Sequence, residues 1–320
     1  MALTYNDLTS KTNRFIVPRS VDVVYKSSPL FTRLRTNRME RFEGGNFITH
    51  QIMYAPLKGG AFSRGQAFDT SYVQTDTALQ VNIKFYYINM TIYGADNVLN
   101  RGPEAAMLLV ESKMANASLA MAQNLATDLF NDGQGTNSSV ISLDGLDGAI
   151  DDGTNYAAYG GVTRTDISAS ANTGINSYYA SMPTLSLSGV QSAFGASWFG
   201  NEHVDLMIAT QPVWDIFWSK IQPQQRFEEE SSDVAKIGFR SMRFNGASVT
   251  VDQYAPAGKM WGLNTKYIQF WITTMPKYQF GFTGWKEAQN NDDVTGQYMF
   301  AGNLLVVGSR LMFKLANITG

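Results

Sequence analysis

The chain has 320 residues, a formal net charge of −2, 44% hydrophobic residues and 16% charged residues. The hydrophobic content is enough for a large core and argues against global disorder. The charged content is well below the roughly 25% of an average soluble chain, which favours a subunit that covers its faces with neighbours. The chain contains no cysteine, which excludes disulfides, thiolate nucleophiles and cysteine-bound zinc. The near-neutral charge argues against nucleic-acid binding by the chain as a whole.

The first segment, residues 1–45, is predicted to be an arm with little core of its own, because short apolar pieces alternate with prolines and polar residues. It lacks the basic region and apolar run of a signal peptide, and no stretch of the chain reaches the roughly 18 apolar residues of a membrane span. We therefore expect the chain to be made in the cytosol. Between residues 11 and 43 there are eight basic and three acidic residues. Such an arm is either a solvated tail or a segment that lies across a neighbouring subunit or faces an anionic lumen.

A long hairpin is predicted next. Residues 46–54 form one strand, and residues 79–87 alternate strictly in polarity, which is typical of a half-buried strand. The phase of the alternation changes near Tyr87, which predicts a bulge or sharp twist there. The connection, residues 56–76, is unusually long for a compact domain, so we expect its aromatic residues to be buried against a second chain. These residues are Phe62, Phe68 and Tyr72.

The strongest helix signal covers residues 103–131. Pro103 suits the first helical position, and Gly133 suits a C-terminal stop. Apolar residues recur at spacings of three and four, which predicts one buried stripe. The stripe consists of Met107, Val110, Met114, Ala117, Met121 and Leu125. At 1.5 Å per residue the helix would be roughly 43 Å long, so we expect other elements to pack along it.

The rest of the chain has a mixed α/β pattern. A turn-rich segment covers residues 132–183, and an acidic loop is predicted at 228–238. Helices are predicted at 186–199 and from Pro212 onward, and strands at 205–209, 247–252, 259–263 and 267–272. Two final strands, near 297–301 and 304–315, are predicted to be joined through Gly302-Asn303.

The sequence contains no recognisable catalytic or cofactor motif. The two histidines, His50 and His203, have no partner at metal-binding or catalytic-triad spacing, so a structural role is expected for each. Four aspartates between residues 144 and 152 resemble a calcium-binding loop only loosely, because the EF-hand spacing and its closing glutamate are missing. We therefore expect no enzyme activity, no cofactor and no bound metal.

The order and lengths of these segments resemble the major capsid proteins of tailed bacteriophages, which have the Hong Kong 97-type fold. The most specific stretch is GLDGAIDDGTNYAAYGGVTR, residues 145–164, which resembles the family's glycine-rich passage from a long spine helix into an axial domain. The resemblance covers nearly the whole chain and implies an α+β fold in five parts. These are an N-terminal arm (1–45), an E-loop hairpin (46–93), a peripheral (P) domain with the spine helix (94–142), a mixed α/β axial (A) domain (143–275) and closing P-domain strands (276–320).

The resemblance also implies a function, which is self-assembly into pentamers and hexamers that form an icosahedral shell around double-stranded DNA. The implied location is the capsid of the virion, after assembly in the cytoplasm of the host bacterium. The implied partners are further copies of the chain, the packaged DNA, a separate scaffolding protein, a portal and a decoration protein, with no membrane. We expect the E-loop to be anchored on an adjacent subunit by Phe62, Arg64, Phe68 and Tyr72. We expect Arg33, Arg35, Arg38 and Arg41 to form intersubunit ion pairs or to face DNA, although a solvated surface charge is the alternative for each.

Three other functions stay open at the level of the sequence. An encapsulin, which is a bacterial nanocompartment that encloses cargo enzymes, shares the same fold and is the nearest alternative. A phage tail or receptor-binding protein would suit the Gly-, Asn- and Tyr-rich middle of the chain, but such proteins often contain repeats and none is found here. An enzyme whose residues escape sequence patterns is the third. A discrete pocket with substrate turnover would favour the enzyme.

Overall fold

The computed structural model describes residues 28–37, 39–55, 57–94, 103–133, 141–165, 175–221, 241–287 and 292–319. Within these ranges the α-helices are α1 (Pro29–Asn37), α2 (Pro103–Asp128), α3 (Leu146–Ala149), α4 (Leu187–Ala196) and α5 (Gln211–Ile221). The strands are β1 (Met39–Phe42), β2 (Phe47–Met53), β3 (Asp76–Asn82), β4 (Lys84–Tyr93), β5 (Ala158–Tyr159), β6 (Val162–Thr163), β7 (Tyr178–Ser181), β8 (Leu206–Ala209), β9 (Ser241–Phe244), β10 (Ala247–Val251), β11 (Met260–Leu263), β12 (Ile268–Thr273), β13 (Gln279–Phe282), β14 (Lys286–Glu287), β15 (Asp293–Val306) and β16 (Phe313–Ala316). Short 3-10 helices lie at Thr265–Tyr267, Pro276–Tyr278 and Ser309–Leu311.

The first sheet has six strands and is organised around the long strand β15. β4 runs antiparallel to β15 from Asp293 to Gly302, and β12, β13 and β14 also pair with β15. β1 extends the sheet as a parallel partner of β12. Helix α2 packs against β4, and the two elements share one large apolar core. The buried residues of the predicted helix stripe are Val110, Met114, Ala117, Met121 and Leu125, so the stripe is confirmed over its described side chains.

The second sheet also has six strands, in the order β7-β16-β11-β8-β10-β9. The pairs β7–β16 and β8–β10 are parallel and the other pairs are antiparallel. Helices α4 and α5 pack on this sheet through a separate apolar cluster that includes Phe194 and Phe217. Helix α4 starts after Ser186, whose hydroxyl accepts a hydrogen bond from the backbone N–H of Gly189 and so caps the helix. These elements agree with the predicted strands and helices, whereas the acidic loop predicted at 228–238 lies outside the described residues.

The described end of the N-terminal segment contains regular structure with a buried face. Leu30, Phe31 and Leu34 of α1 are buried, and the ring of Phe31 meets that of Phe270 edge to face, with centroids 5.2 Å apart. β1 then joins the first sheet beside β12. The prediction of an arm with little core is therefore wrong for residues 28–42, because their apolar side chains form one face of a short helix. Residues 1–27 lie outside the described residues.

The second strand of the hairpin ends earlier than predicted. β3 stops at Asn82, Ile83 belongs to no strand, and β4 starts at Lys84. β3 pairs with β2 inside the hairpin, whereas β4 pairs with β15 in the first sheet. The change of phase that the sequence predicted near Tyr87 therefore lies at Ile83, where the chain passes from one sheet to the other.

The C-terminal strands also differ from the prediction. Gly302 and Asn303 lie inside β15, not in a turn. A Gly-Asn pair indicates a turn locally, but tertiary contacts select both residues here. A Cβ atom on Gly302 would collide with the carbonyl oxygen of Trp271, and the side-chain amide of Asn303 donates a hydrogen bond to Asp144. The predicted turn is therefore wrong.

Helix α2 has 26 residues, which corresponds to roughly 39 Å. It ends at Asp128, three residues before the predicted end, and Leu129 and Phe130 form a turn before Gly133. Among the described helices, none is both long enough and apolar enough to cross a membrane.

Candidate assembly surfaces

The hairpin of β2 and β3 carries the predicted aromatic residues on its loop. The two strands pair over seven residues each, and the rings of Phe62 and Phe68 contact each other edge to face with centroids 5.1 Å apart. Nevertheless 66% and 68% of the surface of these two residues is exposed. Burial of a phenylalanine side chain is worth about 1.5–3 kcal/mol, so an exposed pair of this kind is typical of a surface that another molecule covers.

Polar contacts hold the loop in one shape. The Nζ of Lys58 lies 2.8 Å from the carboxylate of Asp69, which also accepts hydrogen bonds from the backbone N–H and the hydroxyl of Ser71. Lys58 and then Ser71 hold the pKa of the Asp69 carboxyl well below its usual range, at about 2. On the other side of the loop, Ser63 donates through its backbone N–H to the side chain of Gln66. The loop is therefore ordered by its own contacts, which lowers the entropic cost of binding.

The other two predicted anchor residues lie on the same loop. Tyr72 is 90% exposed and Arg64 is exposed as well. An open cleft of about 600 Å³ lies in the loop and is lined in part by Leu57, Phe62 and Phe68. The structure brings Phe62 and Phe68 together and leaves all four predicted anchors accessible.

A second exposed apolar surface lies on the face of the first sheet that points away from helix α2. Before the strand break Leu79 and Val81 are buried, and after it Met90 is buried while Phe85 and Tyr87 are 65% and 69% exposed. Alternation along β4 is thus regular, and its phase is opposite to the predicted one only for Phe85 and Tyr87, which precede the predicted change of phase. The sequence shows the alternation, but it cannot show that the chain changes sheets at Ile83.

This outer sheet face combines aromatic rings with basic groups. The ring of Phe85 meets that of Tyr278 edge to face at 6.0 Å, and the Nζ of Lys277 lies 5.3 Å from the centre of the Tyr278 ring. A cleft of about 450 Å³ follows along the sheet. Its lining includes Lys277, Thr283, Lys286, Thr295 and Gln297. The face therefore offers apolar contacts beside positive charge.

The predicted arginines have different surroundings. Arg33 in α1 forms an ion pair with Asp205 of the same chain, at 3.2 Å, and Asp205 also accepts a hydrogen bond from the backbone N–H of Thr265. Arg41 in β1 is exposed. The side chain of Arg35 and the whole of Arg38 lie outside the described residues. Arg33 thus has an intrachain role, which ties α1 to the start of β8.

The glycine-rich passage between α2 and the second sheet is organised by a buried arginine. Arg164 is 1% exposed, and its guanidinium donates to the backbone carbonyls of Asp151 at 2.7 Å, Gly148 at 2.8 Å and Ala149 at 3.0 Å, and also to that of Ile175. Burial lowers the pKa of this guanidinium, and Asp151 opposes that effect. One side chain therefore fixes four carbonyls of a segment that has little regular structure.

The aspartates of this passage are satisfied by protein donors. The carboxylate of Asp151 accepts hydrogen bonds from the backbone N–H groups of Gly153, Asn155 and Tyr156. Burial acts to raise the pKa of Asp151, but the bonds from Asn155 and Tyr156 and the charge of Lys314 outweigh it and lower the pKa. Among the described residues, no group of three or more histidine, aspartate or glutamate side chains is placed to hold a metal ion.

A third exposed aromatic group follows helix α4. Trp198 and Phe199 are 48% and 50% exposed. The imidazole of His203 stacks on Trp198 with centroids 5.1 Å apart, and the guanidinium of Arg310 lies 4.5 Å from the centre of the Phe199 ring. His203 packs within this turn, and His50 lies in β2.

Comparison with known proteins places the fold. Neither a family model nor a curated protein sequence matches the chain. Among solved structures, the cyanophage A-1(L) capsid asymmetric unit matches with a TM-score of 0.68 and 13% identity, over 89% of this chain and 91% of that chain. The capsid of a native GTA particle matches with a TM-score of 0.59 and 10% identity over 90% of each chain. A structure from Mycobacterium phage Ogopogo matches with a TM-score of 0.53 and 10% identity, over 89% of this chain and 91% of that chain. The chain therefore has the α+β fold of tailed-phage major capsid proteins, the Hong Kong 97-type fold.

Proposed function

We propose that the chain is the major capsid protein of a tailed phage and assembles into pentamers and hexamers of an icosahedral shell around double-stranded DNA. The observation that carries the proposal is the hairpin loop, whose two contacting phenylalanine rings stay about two-thirds exposed at 66% and 68% although the loop is held in shape by its own ion pair. Ordered, exposed aromatic residues of this kind suit a subunit that completes its core with a neighbour. The fold that the chain shares with phage capsid subunits also supports the proposed role as a shell subunit.

The hairpin loop needs a receiving surface on the adjacent subunit. The outer face of the first sheet is suited to it, because Phe85 and Tyr87 are exposed there beside Tyr278. Aromatic rings prefer edge-to-face and offset contacts with other rings, so Phe62 and Phe68 of one copy complement this face of the next copy. Such contacts repeat around a closed shell, which multiplies a modest energy per subunit.

The proposed domains keep the boundaries that the resemblance implies. The E-loop corresponds to residues 46–93, the P-domain to 94–142 with the closing segment 276–320, and the A-domain to 143–275. Within the A-domain and the closing segment, two strands lie in the other sheet from the one that these boundaries imply, since β12 belongs to the first sheet and β16 to the second. The arm strand β1 and the E-loop strand β4 also belong to the first sheet. We therefore place β12 with the P-domain and β16 with the A-domain.

The basic residues divide between intrachain and intersubunit roles. Arg33 forms an ion pair with Asp205 of its own chain, so the intersubunit role is proposed for the other three arginines. The exposed Arg41 keeps the proposed role in an ion pair between subunits or in facing DNA, as do Arg35 and Arg38. A separate scaffolding protein, a portal and a decoration protein are proposed as further partners in the virion, with assembly in the host cytoplasm.

The alternative is an encapsulin-type shell, because such a shell uses the same fold. Negative-stain electron microscopy of native particles, with nuclease-protected DNA measured in the same fractions, separates the two. Closed icosahedral particles that protect DNA are the expected result. Closed particles that hold a cargo protein and no DNA would favour the encapsulin. Monomers or rod-like trimers at every salt concentration tested would contradict a shell of either kind.

A further inference from the structure

The cleft of about 450 Å³ on the outer sheet face carries two positive charges that have no acidic partner. Lys277, in the short 3-10 helix before β13, and Lys286, in β14, both line it and are both exposed. Among the described residues, neither lysine lies within ion-pair distance of a carboxylate, and the Nζ of Lys277 contacts the ring of Tyr278 instead. Glu287 and Asp293 lie nearby in β14 and β15 but pair with neither lysine. We call this site the basic cleft.

The floor of the basic cleft is formed in advance. The backbone N–H of Thr283 donates to the carbonyl of Gln297 at 2.9 Å, and the backbone N–H of Gln297 donates to the hydroxyl of Thr283 at 3.0 Å. A Cβ atom on Gly296 would lie 2.5 Å from the ring of Phe282, so backbone and ring are closely packed beneath the cleft. A carboxylate that enters would therefore meet a fixed polar surface, which lowers the cost of ordering the site.

The hairpin loop that is proposed to cover the neighbouring rings does not supply the missing negative charge. Residues 57–72 contain one acidic residue, Asp69, and it is already paired with Lys58 at 2.8 Å. The remaining charge of the loop is the positive Arg64. Because like charges across an interface are costly, a different segment has to neutralise the two lysines when a neighbour covers this face.

The densest acidic segment of the chain is residues 228–233, which contain four acidic residues and no basic residue. The aspartates between residues 144 and 152 are the other dense group, but Asp147 and Asp151 already have partners within the chain. The acidic segment belongs to the connection 222–240 between α5 and β9, which lies outside the described residues. Half of that connection, fully extended, can span roughly 30 Å. Its charge and its reach therefore suit a cleft on a neighbouring copy.

We propose that residues 228–233 of one copy bind in the basic cleft of an adjacent copy, where their carboxylates pair with Lys277 and Lys286. The inference rests on the proposed function, because it needs a neighbouring copy. It adds to the aromatic contact of the hairpin loop a second contact of opposite chemistry. Salt should weaken this second contact more than the aromatic one, because screening acts on charges.

The first test is peptide binding to the unassembled subunit, which needs no shell. A fluorescent peptide of residues 227–235 with capped ends is titrated with the subunit at low ionic strength, and binding is measured by fluorescence anisotropy. We expect saturable binding that weakens as salt is raised. The double variant Lys277→Glu with Lys286→Glu should bind at least about tenfold more weakly.

Two controls separate the cleft from general charge effects. A peptide in which glutamine replaces each glutamate and asparagine replaces the aspartate should not bind. Lys113→Glu changes an exposed lysine on α2 and should bind the acidic peptide as the wild type does. No binding to the wild type, or equal binding to the double variant, would overturn the proposal. So would a cleft that binds a DNA duplex but not the peptide.

The second test is the mixing of chains with exchanged charges. A segment variant with Glu228→Lys, Glu229→Lys and Glu230→Lys and the cleft double variant should each need a higher concentration to assemble than the wild type. An equimolar mixture of the two should assemble as the wild type does, because each segment then meets a cleft of opposite charge on the other chain. Circular dichroism checks that both variants are folded.

The mixture also separates this contact from the proposed function. Wild-type chains that never assemble would count against the shell, and peptide binding would still decide the contact. Wild-type assembly together with a mixture that assembles no better than its components would overturn the contact alone. Rescue that appears only when both sets of changes are in one chain would also overturn it, because the contact would then lie within a copy.

Discussion

Replacing both Phe62 and Phe68 with alanine should weaken assembly while leaving the subunit folded. In the single chain 66% and 68% of the two residues is exposed, so about two-thirds of each side chain is available for burial in an interface. Full burial of a phenylalanine is worth about 1.5–3 kcal/mol, which gives about 1–2 kcal/mol for each ring and about 2–4 kcal/mol for the pair. Because about 1.4 kcal/mol corresponds to a tenfold change, the association constant of one hairpin contact should fall about 30- to 700-fold.

The assay is the critical concentration for assembly, measured by light scattering and sedimentation at fixed salt. Ile141→Ala is the matched control, because Ile141 is an apolar residue outside the hairpin that is 85% exposed. The thermal midpoint of the unassembled double variant should match that of the wild type, since exposed substitutions usually change stability by no more than about 0.5 kcal/mol. A double variant that assembles at the wild-type critical concentration would refute the role of the loop.

Three further predictions concern the sheet face and the passage around Arg164. Replacing Phe85 and Tyr87 together with serine should raise the critical concentration for assembly without lowering the thermal midpoint of the subunit, and a large fall in that midpoint would show that the two rings support the core. Arg164→Met should lower the free energy of unfolding by about 3 kcal/mol or more, because it leaves buried carbonyls unpaired. Urea denaturation measures this change, and a decrease of less than about 1 kcal/mol would contradict the prediction. Asp151 has a lowered pKa in the folded chain, so it adds stability above its unfolded pKa of about 3.9 and loses that contribution as the pH falls through the folded value. The stability difference between wild type and Asp151→Asn should therefore be largest near neutral pH and shrink below about pH 4, whereas a difference that is constant with pH would contradict the assignment.

Periodic sequence patterns predicted the helices and strands whose buried residues lie along one face. The stripe on α2 is such a case, because residues three and four positions apart share one side of a helix whatever surrounds it. The aromatic loop of the hairpin was also predictable, because the connection that carries Phe62 and Phe68 is too long for a compact domain and the adjacent sequence offers no apolar segment to bury these rings. The fold class was implied by the resemblance of the segment order to that of a known family.

Features that depend on distant contacts could not be predicted. The exposure of Phe85 and Tyr87 depends on the transfer of the chain between sheets at Ile83, and only the pairing of β4 with β15 reveals it. Gly302 and Asn303 look like a turn because the sequence does not show Trp271 or Asp144 beside them.

The central claim is that the exposed hairpin loop of each subunit is covered by the next subunit of a closed shell. A cryo-electron microscopy reconstruction of the native particle tests it most directly. The account predicts an icosahedral shell in which Phe62 and Phe68 are buried against an adjacent copy, at the outer face of its first sheet near Phe85 and Tyr87. A closed shell in which these two rings remain exposed to solvent, or material that never forms a closed shell, would contradict the account.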